Sequence, residues 1–178
     1  MRKLLNSELG RKTIIEYKNS EKHPFIVVLD NVRSHNNIGS IFRTSDAFLV
    51  EALYLCGITA QPPHRDIQKT SLGAEESVPW KYFPSTIEAA KELKDNGFSL
   101  IAIEQAEGSV MLQNLIIESG KKYAFIFGHE INGVSQEVMN MCDRCVEIPQ
   151  FGTKHSFNIA ISTGIVLWEA NMKIPNIT

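Results

Sequence analysis

The feature that most constrains the fold is an alternation, beginning at Pro24, of short apolar runs with longer stretches of helical periodicity. Each apolar run has the length of a buried strand, and turn residues separate it from the next helical stretch. Strands that alternate with helices typically form a parallel sheet. The sequence therefore predicts an α/β fold: a single-domain, mainly parallel sheet with helices on both faces. The predicted strands are Phe25–Asp30, Ala52–Cys56, Ser99–Ile103, Tyr123–Phe127 and Val146–Ile148; the predicted helices are Ile38–Phe48, Ser85–Asn96, Ser135–Met141 and Phe157–Met172.

Composition excludes several classes of protein. Of the 178 residues, 43% are hydrophobic and 21% charged, which is typical of a globular domain and not of a disordered or membrane protein. The first residues turn polar too soon for a secretory signal, and three cysteines cannot all pair within one chain, so we expect a cytoplasmic protein. A net charge of -2 excludes a protein that coats nucleic acid by overall charge, but it is compatible with a local basic patch.

The first 22 residues carry six basic and three acidic side chains, so this segment has a net charge of +3. Its apolar residues have the spacing of a short helix: Leu5, Leu9, Ile14 and Ile15. We therefore divide the chain into a basic N-terminal helical extension (1–22) and one domain (23–178). Either a solvated helix docked on the domain or an arm that contacts phosphates fits the extension.

The last predicted helix, Phe157–Met172, is apolar on nearly every side. A helix that covers one face of a sheet shows a polar stripe toward solvent, so an apolar surface all round indicates burial on two sides. The second cover is either another part of the same fold or a second subunit.

Three polar, glycine-bearing segments follow predicted strands, where open parallel sheets usually bind ligands. In the first (35–48), Asn37 and its neighbour Asn36 can cap a helix, and Gly39 allows a close approach to the backbone. Arg43 lies one helical turn beyond Gly39 on the same face. A guanidinium there suits a phosphate or another anion, although an ordinary cap and a surface arginine explain the segment equally well.

In the second segment (125–135), a strand ends at Gly128 and a helix begins after Ser135. Glu130 lies between two glycines that permit unusual backbone angles, so it can orient a ligand or a partner loop. The spacing matches neither the dinucleotide fingerprint nor the phosphate-binding loop, which argues against hydride transfer and nucleotide hydrolysis.

In the third segment (148–162), a strand ends at Ile148, and Ser156 and Asn158 open the apolar helix. Ser156 can cap this helix. His155 is a base by residue type, but the sequence favours a surface histidine beside Lys154. Cys142 and Cys145 have the spacing of half a zinc site, but no second pair follows, so no metal is expected.

Taken in this order, the three segments resemble the SpoU (TrmH) family of RNA ribose 2′-O-methyltransferases, in the SPOUT superfamily. The resemblance covers about residues 24–172. The matching residues are Asn37, Gly39 and Arg43 in the first motif, Gly128, Glu130, Gly133 and Ser135 in the second, and Ile148, Pro149, Gly152, Ser156 and Asn158 in the third. The stretch 71–75 also looks like a family segment. Two residues depart from the family pattern: His129 replaces the usual Asn, and Phe157 the usual Leu. We expect altered packing from them and no loss of activity.

The resemblance implies a C-terminal trefoil knot, which general topology rules alone would reject. It also implies a homodimer that binds RNA, with tRNA as the first expectation and rRNA as the alternative. S-adenosyl-L-methionine is the implied methyl donor, and no metal takes part. Gly128, Ile148 and Phe157 are the implied cofactor-binding residues, and a side chain at position 128 should fill the cofactor space.

The same resemblance implies that Arg43 acts at the reacting hydroxyl, with Asn37, Glu130, Ser156 and Asn158 holding Arg43 and the ribose in place. A guanidinium has a pKa above about 12 and does not act as a base, so we expect Arg43 to clamp the substrate. The rival interpretation is a non-catalytic SPOUT-like RNA-binding or assembly factor.

Overall fold

The computed structural model describes residues 1–174, with only the backbone at Asn6, and within them seven parallel strands form one sheet. The strands are His23–Asp30 (β1), Val50–Cys56 (β2), Trp80–Phe83 (β3), Phe98–Ile103 (β4), Val110–Met111 (β5), Lys122–Phe127 (β6) and Arg144–Glu147 (β7). The helices are Ile14–Asn19 (α1), His35–Ala47 (α2), Arg65–Ser71 (α3), Ala74–Ser77 (α4), Thr86–Asp95 (α5), Gln136–Met139 (α6) and Ile159–Met172 (α7). The strand order is β3-β2-β1-β6-β4-β7-β5. No helix in this part of the chain is long and apolar enough to cross a membrane.

The central strands are buried on both faces. Phe25, Val27 and Leu29 of β1 pack into a core that α2 and α7 share, whereas Ile26 and Val28 pack toward α5 and α6. Because successive strand residues point to opposite faces, burial of both faces leaves a continuous apolar run in the sequence. The predicted fold class, a parallel sheet with helices on both faces, is confirmed.

Two predicted element starts are wrong because other residues cap the helices. α2 begins at His35, since the Ser34 side chain accepts the Asn37 N–H; the Asn36–Asn37 pair lies inside the helix. α7 begins at Ile159 instead of Phe157, since the Asn158 side chain caps it, and Ser156 therefore is not the cap.

The remaining differences concern short elements. β7 spans 144–147, whereas the prediction was 146–148, because Arg144 and Cys145 pair with β4. Four further elements were not predicted from the sequence: β3, β5, α3 and α4, which have two to seven residues. Such elements are too short for the apolar period to distinguish strand from helix.

The N-terminal extension contains a single 3-10 turn at Asn6–Glu8 and the short helix α1. The predicted helix through Leu5 and Leu9 is therefore wrong in extent, and both leucines are exposed. The buried Tyr17 in α1 packs into the main core, and its hydroxyl donates to the Val50 carbonyl oxygen at 3.3 Å. This side chain anchors the extension to the domain.

Gly39 lies where α2 crosses α3. The sequence predicted that another group approaches the backbone closely at this glycine, and that group is α3. A Cβ atom there would lie 2.1 Å from Thr70 Oγ1 and 2.3 Å from the Ile67 carbonyl oxygen. Because the backbone of α3 would have to move, we expect Gly39→Ala to lower the free energy of unfolding by roughly 1–3 kcal/mol in urea denaturation. Gly164→Ala is the matched control, since its Cβ would meet only Thr44 Cγ2 at 3.9 Å. Equal losses in the two variants would contradict this account.

Candidate active site

A cavity of about 540 Å³ opens at the carboxyl ends of β4, β6 and β7. This volume suits a cofactor, and open parallel sheets usually bind ligands at this edge. Three segments line the cavity: the end of β4 (103–105), the loop after β6 (127–133) and the chain from β7 into α7 (148–162).

Most of the predicted site residues meet at this cavity. The lining includes Gly128, Glu130, Ile148, Ser156, Phe157 and Asn158. Asn37 lies at its edge, because its side-chain oxygen accepts a hydrogen bond from Asn158 Nδ2 at 3.1 Å. The three predicted cofactor residues therefore lie together, with four of the five predicted catalytic residues beside them.

Gly128 has no room for a side chain. A Cβ atom there would lie 2.1 Å from the carbonyl carbon of Gly133 and 2.2 Å from the backbone nitrogen of Val134. The following loop folds back because His129 and Gly133 exchange backbone hydrogen bonds of 3.1 and 2.9 Å. Gly133 has a φ of +66°, which glycine adopts at low cost.

The departure at His129 preserves the local bonding. Its Nδ1 atom accepts hydrogen bonds from the backbone N–H groups of Ile131 (3.0 Å) and Asn132 (3.3 Å). An asparagine side-chain oxygen makes the same kind of turn. The loop therefore keeps an acceptor at the position where the family usually has Asn.

Glu130 links this loop to the start of α2. Its carboxylate accepts the backbone N–H groups of Arg33 (3.1 Å) and Ser34 (3.0 Å). Burial by itself would raise the pKa of Glu130, but the backbone hydrogen bonds from Glu130 itself, Arg33 and Ser34 outweigh it and lower the pKa. The carboxylate is thus ionised and already bonded, so it positions the chain and is a poor base.

Asn158 joins α7 to α2. Its Oδ1 atom accepts the Ala160 N–H at 2.9 Å and caps α7, while its Nδ2 atom donates to Asn37. The first turns of both helices therefore meet at the cavity edge through one amide side chain.

Glu104 and Gln105 also line the cavity, although no motif in the sequence predicted them. The Glu104 carboxylate accepts the N–H groups of Val134 (3.1 Å) and Gln105 (2.9 Å), which ties the loop after β6 to β4. Gln105 donates its side-chain N–H to the His155 carbonyl oxygen at 2.7 Å. The available signal was position alone, since both residues directly follow a predicted strand.

Arg43 lies elsewhere. It is exposed on α2 and lines a second cavity, of about 480 Å³, between α2, the turn from α3 to α4 and the N-terminal extension. Lys12 and Asp46 also line this second cavity. Arg43 is thus separate from the cavity that holds the other predicted site residues.

A family model described as the SpoU rRNA Methylase family matches residues 24–168 of this sequence. The chain belongs to this family. The family membership that the three motifs predicted is therefore confirmed. The trefoil knot remains a prediction.

Individual relatives are similar to this chain over most of its length. The chain is 29% identical over 152 residues to the 23S rRNA (guanosine-2′-O-)-methyltransferase RlmB of Neisseria meningitidis serogroup B, a match that covers 85% of this chain and 60% of the relative. It is 29% identical over 160 residues to the tRNA (guanosine(18)-2′-O)-methyltransferase of Aquifex aeolicus, covering 89% and 74%. The chain thus spans about three fifths of the Neisseria relative's length.

Solved structures show the same fold. The AdoMet-bound rRNA methyltransferase from Sinorhizobium meliloti has a TM-score of 0.81 and 29% identity, and the match covers 88% of this chain and 59% of that one. The TrmH/SpoU tRNA modifying enzyme of A. aeolicus has a TM-score of 0.77 and 27% identity, with 88% and 78% covered.

Proposed function

We propose that the protein transfers a methyl group from S-adenosyl-L-methionine to a ribose 2′-hydroxyl in structured RNA. The observation that carries this proposal is the cavity at the strand ends, where Gly128, Ile148 and Phe157 converge beside the hydrogen bond between Asn158 and Asn37. Two relatives of this chain, a 23S rRNA and a tRNA guanosine-2′-O-methyltransferase, support it.

The residues present suit this cofactor. Ile103, Ile148 and Phe157 offer apolar surface for an adenine ring, and the carboxylates of Glu104 and Glu130 suit a ligand with positively charged groups. When bound, S-adenosyl-L-methionine supplies an electrophilic methyl group. The tight turn at Gly128 leaves backbone atoms, and no side chain, at the cavity wall.

Arg43 is proposed to hold the substrate. Its guanidinium presents a planar fork that pairs with a phosphate and stabilises negative charge developing on the ribose oxygen. Because a guanidinium keeps its proton, the hydroxyl proton passes to water or to a phosphate oxygen. Asn37, Glu130, Ser156 and Asn158 position the chain around the ribose.

The working unit is proposed to be a homodimer in which one chain supplies Arg43 to the cofactor cavity of the other. Two features support this arrangement. Arg43 lines a cavity separate from that of the cofactor. A second chain therefore offers a way to place an Arg43 beside the cofactor cavity. α7 also exposes Ile161, Trp168 and Met172, whose spacing places them on one side of the helix. A second copy on this side would provide the two-sided burial that the helix composition indicates.

The substrate is proposed to be tRNA, with rRNA as the alternative. We expect the protein to transfer tritium-labelled methyl groups from S-adenosyl-L-methionine to one of these RNAs transcribed in vitro. The matched control is the same transcript with a 2′-deoxynucleotide at the mapped site, which should accept no label. If the protein binds both cofactor and RNA but transfers no label, the non-catalytic interpretation is correct.

Two substitutions at Asn158 separate capping from positioning. Asn158→Ser should keep α7 capped, whereas Asn158→Ala should lower the free energy of unfolding by about 0.5–2 kcal/mol. Serine is too short to donate to Asn37, so we expect both variants to lose about tenfold or more in methyl-transfer rate. Thermal denaturation and kinetics with labelled cofactor measure the two effects. A serine variant with wild-type activity would show that the bond to Asn37 has no role.

A further inference from the structure

Two histidines and one aspartate form a cluster outside the cofactor cavity, where α2 begins beside α3. His35 is the first residue of α2, His64 caps α3, and Asp66 lies in the first turn of α3. One potential ligand atom from each residue lies within 4.8 Å of the other two. The imidazole rings of His35 and His64 are nearly parallel, with centroids 4.0 Å apart and an interplanar angle of 6°.

We propose that His35, His64 and Asp66 bind a divalent ion of the zinc class, with water completing the coordination. Two imidazoles and one carboxylate are ligands that Zn²⁺ prefers, whereas Mg²⁺ prefers oxygen ligands alone. Ligand atoms around tetrahedral zinc are about 3.4 Å apart, so the widest pair in this cluster has to close by up to about 1.4 Å. Because an imidazole binds a metal in its ring plane, the two nearly parallel rings cannot share an ion as they lie, and at least one ring has to rotate. Both histidines are half-buried and Asp66 is exposed, which leaves these side chains room to rotate.

Contacts between α2 and α3 hold the backbone around the cluster in place. Thr70 Oγ1 donates to the Asn36 carbonyl oxygen at 3.0 Å, and Gly39 brings α2 and α3 into close contact. The two helix starts are therefore held together without the ion, and only side chains need to move. Such preorganisation distinguishes this cluster from acidic residues scattered over a surface.

One existing hydrogen bond competes with binding of the ion. His64 Nδ1 accepts the Asp66 backbone N–H at 3.2 Å, so in the neutral ring the proton resides on Nε2. An ion at Nδ1 displaces this hydrogen bond directly, and an ion at Nε2 requires the proton to move to Nδ1. A single helix cap is weak beside several metal–ligand bonds, so the exchange favours the ion.

The ion would act as a clamp between α2 and α3 and not as a reactant. His35 precedes Asn37 by two residues, so the ion would stiffen the helix start that forms the cavity edge. None of the three residues lines the cofactor cavity, so zinc binding does not depend on whether the protein methylates RNA.

The test is calorimetric titration of the chelator-treated full chain with Zn²⁺. We expect one ion per chain, and a melting temperature raised by about 5–10 °C at a hundredfold excess of free zinc over its Kd. Mg²⁺ should leave the melting temperature unchanged. Co²⁺ should bind at the same site and give a visible spectrum that zinc abolishes. Failure of the wild-type chain to bind one zinc ion would overturn the proposal.

Matched variants locate the ion. His35→Asn, His64→Asn and Asp66→Asn should each weaken zinc binding at least tenfold; asparagine at position 64 keeps α3 capped, so the variant should fold. The double variant Cys142→Ser, Cys145→Ser should bind zinc like the wild type, because those thiols lie outside the cluster. Melting temperatures without zinc verify folding. Unchanged affinity in a folded His64→Asn variant, or binding lost only in the cysteine variant, would overturn the assignment.

Discussion

Arg43→Ala is expected to lower kcat/KM for RNA methylation by roughly a hundredfold or more, the scale observed when one preorganised charge-stabilising donor is removed. Cofactor affinity should barely change, because Arg43 does not line the cofactor cavity of its own chain and is proposed to contact the RNA. Stability should also be preserved, since the side chain is exposed on α2. Steady-state kinetics with labelled cofactor, together with calorimetry, measure the two quantities.

Arg43→Lys provides the control for charge. Lysine keeps the positive charge but loses the planar fork that pairs with a phosphate through two parallel hydrogen bonds, so a large defect should remain. Full activity of the lysine variant would mean that charge alone suffices. A harmless alanine substitution would contradict the assignment of Arg43 to the active site.

Mixing two impaired variants, at a cofactor concentration too low to load Gly128→Ala, tests whether Arg43 acts across a dimer. One partner carries Arg43→Ala with an intact cofactor cavity, and the other carries Gly128→Ala with an intact Arg43. After random exchange, half of the dimers are mixed and each has one complete site, so about a quarter of the wild-type rate should return. If Arg43 acts within its own chain, mixing restores nothing.

Gly128→Ala should weaken binding of S-adenosyl-L-methionine by about ten- to a hundredfold, because overpacking of this kind costs roughly 1–3 kcal/mol. The new Cβ atom would lie 2.1 Å from the Gly133 carbonyl carbon and 2.2 Å from the Val134 nitrogen, so the loop after β6 must move out of the cavity wall. Calorimetric titration with the cofactor measures the change.

Gly152→Ala is the matched control in the segment that leads from β7 to α7. A Cβ atom at Gly152 would meet nothing within 4 Å, so cofactor affinity should remain within about twofold of wild type. Circular dichroism of both variants establishes that the domain is folded. Equal loss of affinity in both glycine variants would mean that general loop disturbance, and not the collision at Gly128, weakens binding.

The predictable part of the fold is the part with long, strongly patterned elements. β1, β4 and β6 are buried on both faces, so each leaves an apolar run that the sequence shows directly. β3 is a four-residue edge strand whose Lys81 and Tyr82 are exposed, so it lacks such a run. Its place in the sheet depends on pairing with β2, which is a contact between distant residues.

Residues at the cavity were predictable where their position along the chain marks the end of a strand or the start of a helix. Gly128, Glu130 and Asn158 follow predicted strands or open a predicted helix, and in a parallel sheet those points converge at one edge. Glu104 also lies at such a point, yet a single carboxylate after a strand resembles many surface residues. Nothing in the sequence indicated that His35 stacks on His64, because His35 begins α2 and His64 caps α3.

The sequence by itself therefore determined the fold class and the family, and it predicted several of the residues that line the cavity, because apolar periodicity and short motifs are local properties. Only the tertiary structure decided that a side chain at Gly128 would meet the backbone of its own loop before it reached cofactor space. Only the tertiary structure placed Arg43 at a separate cavity from Asn158. Such distances depend on how α2 packs against α3 and α7, and packing joins residues that are far apart in sequence.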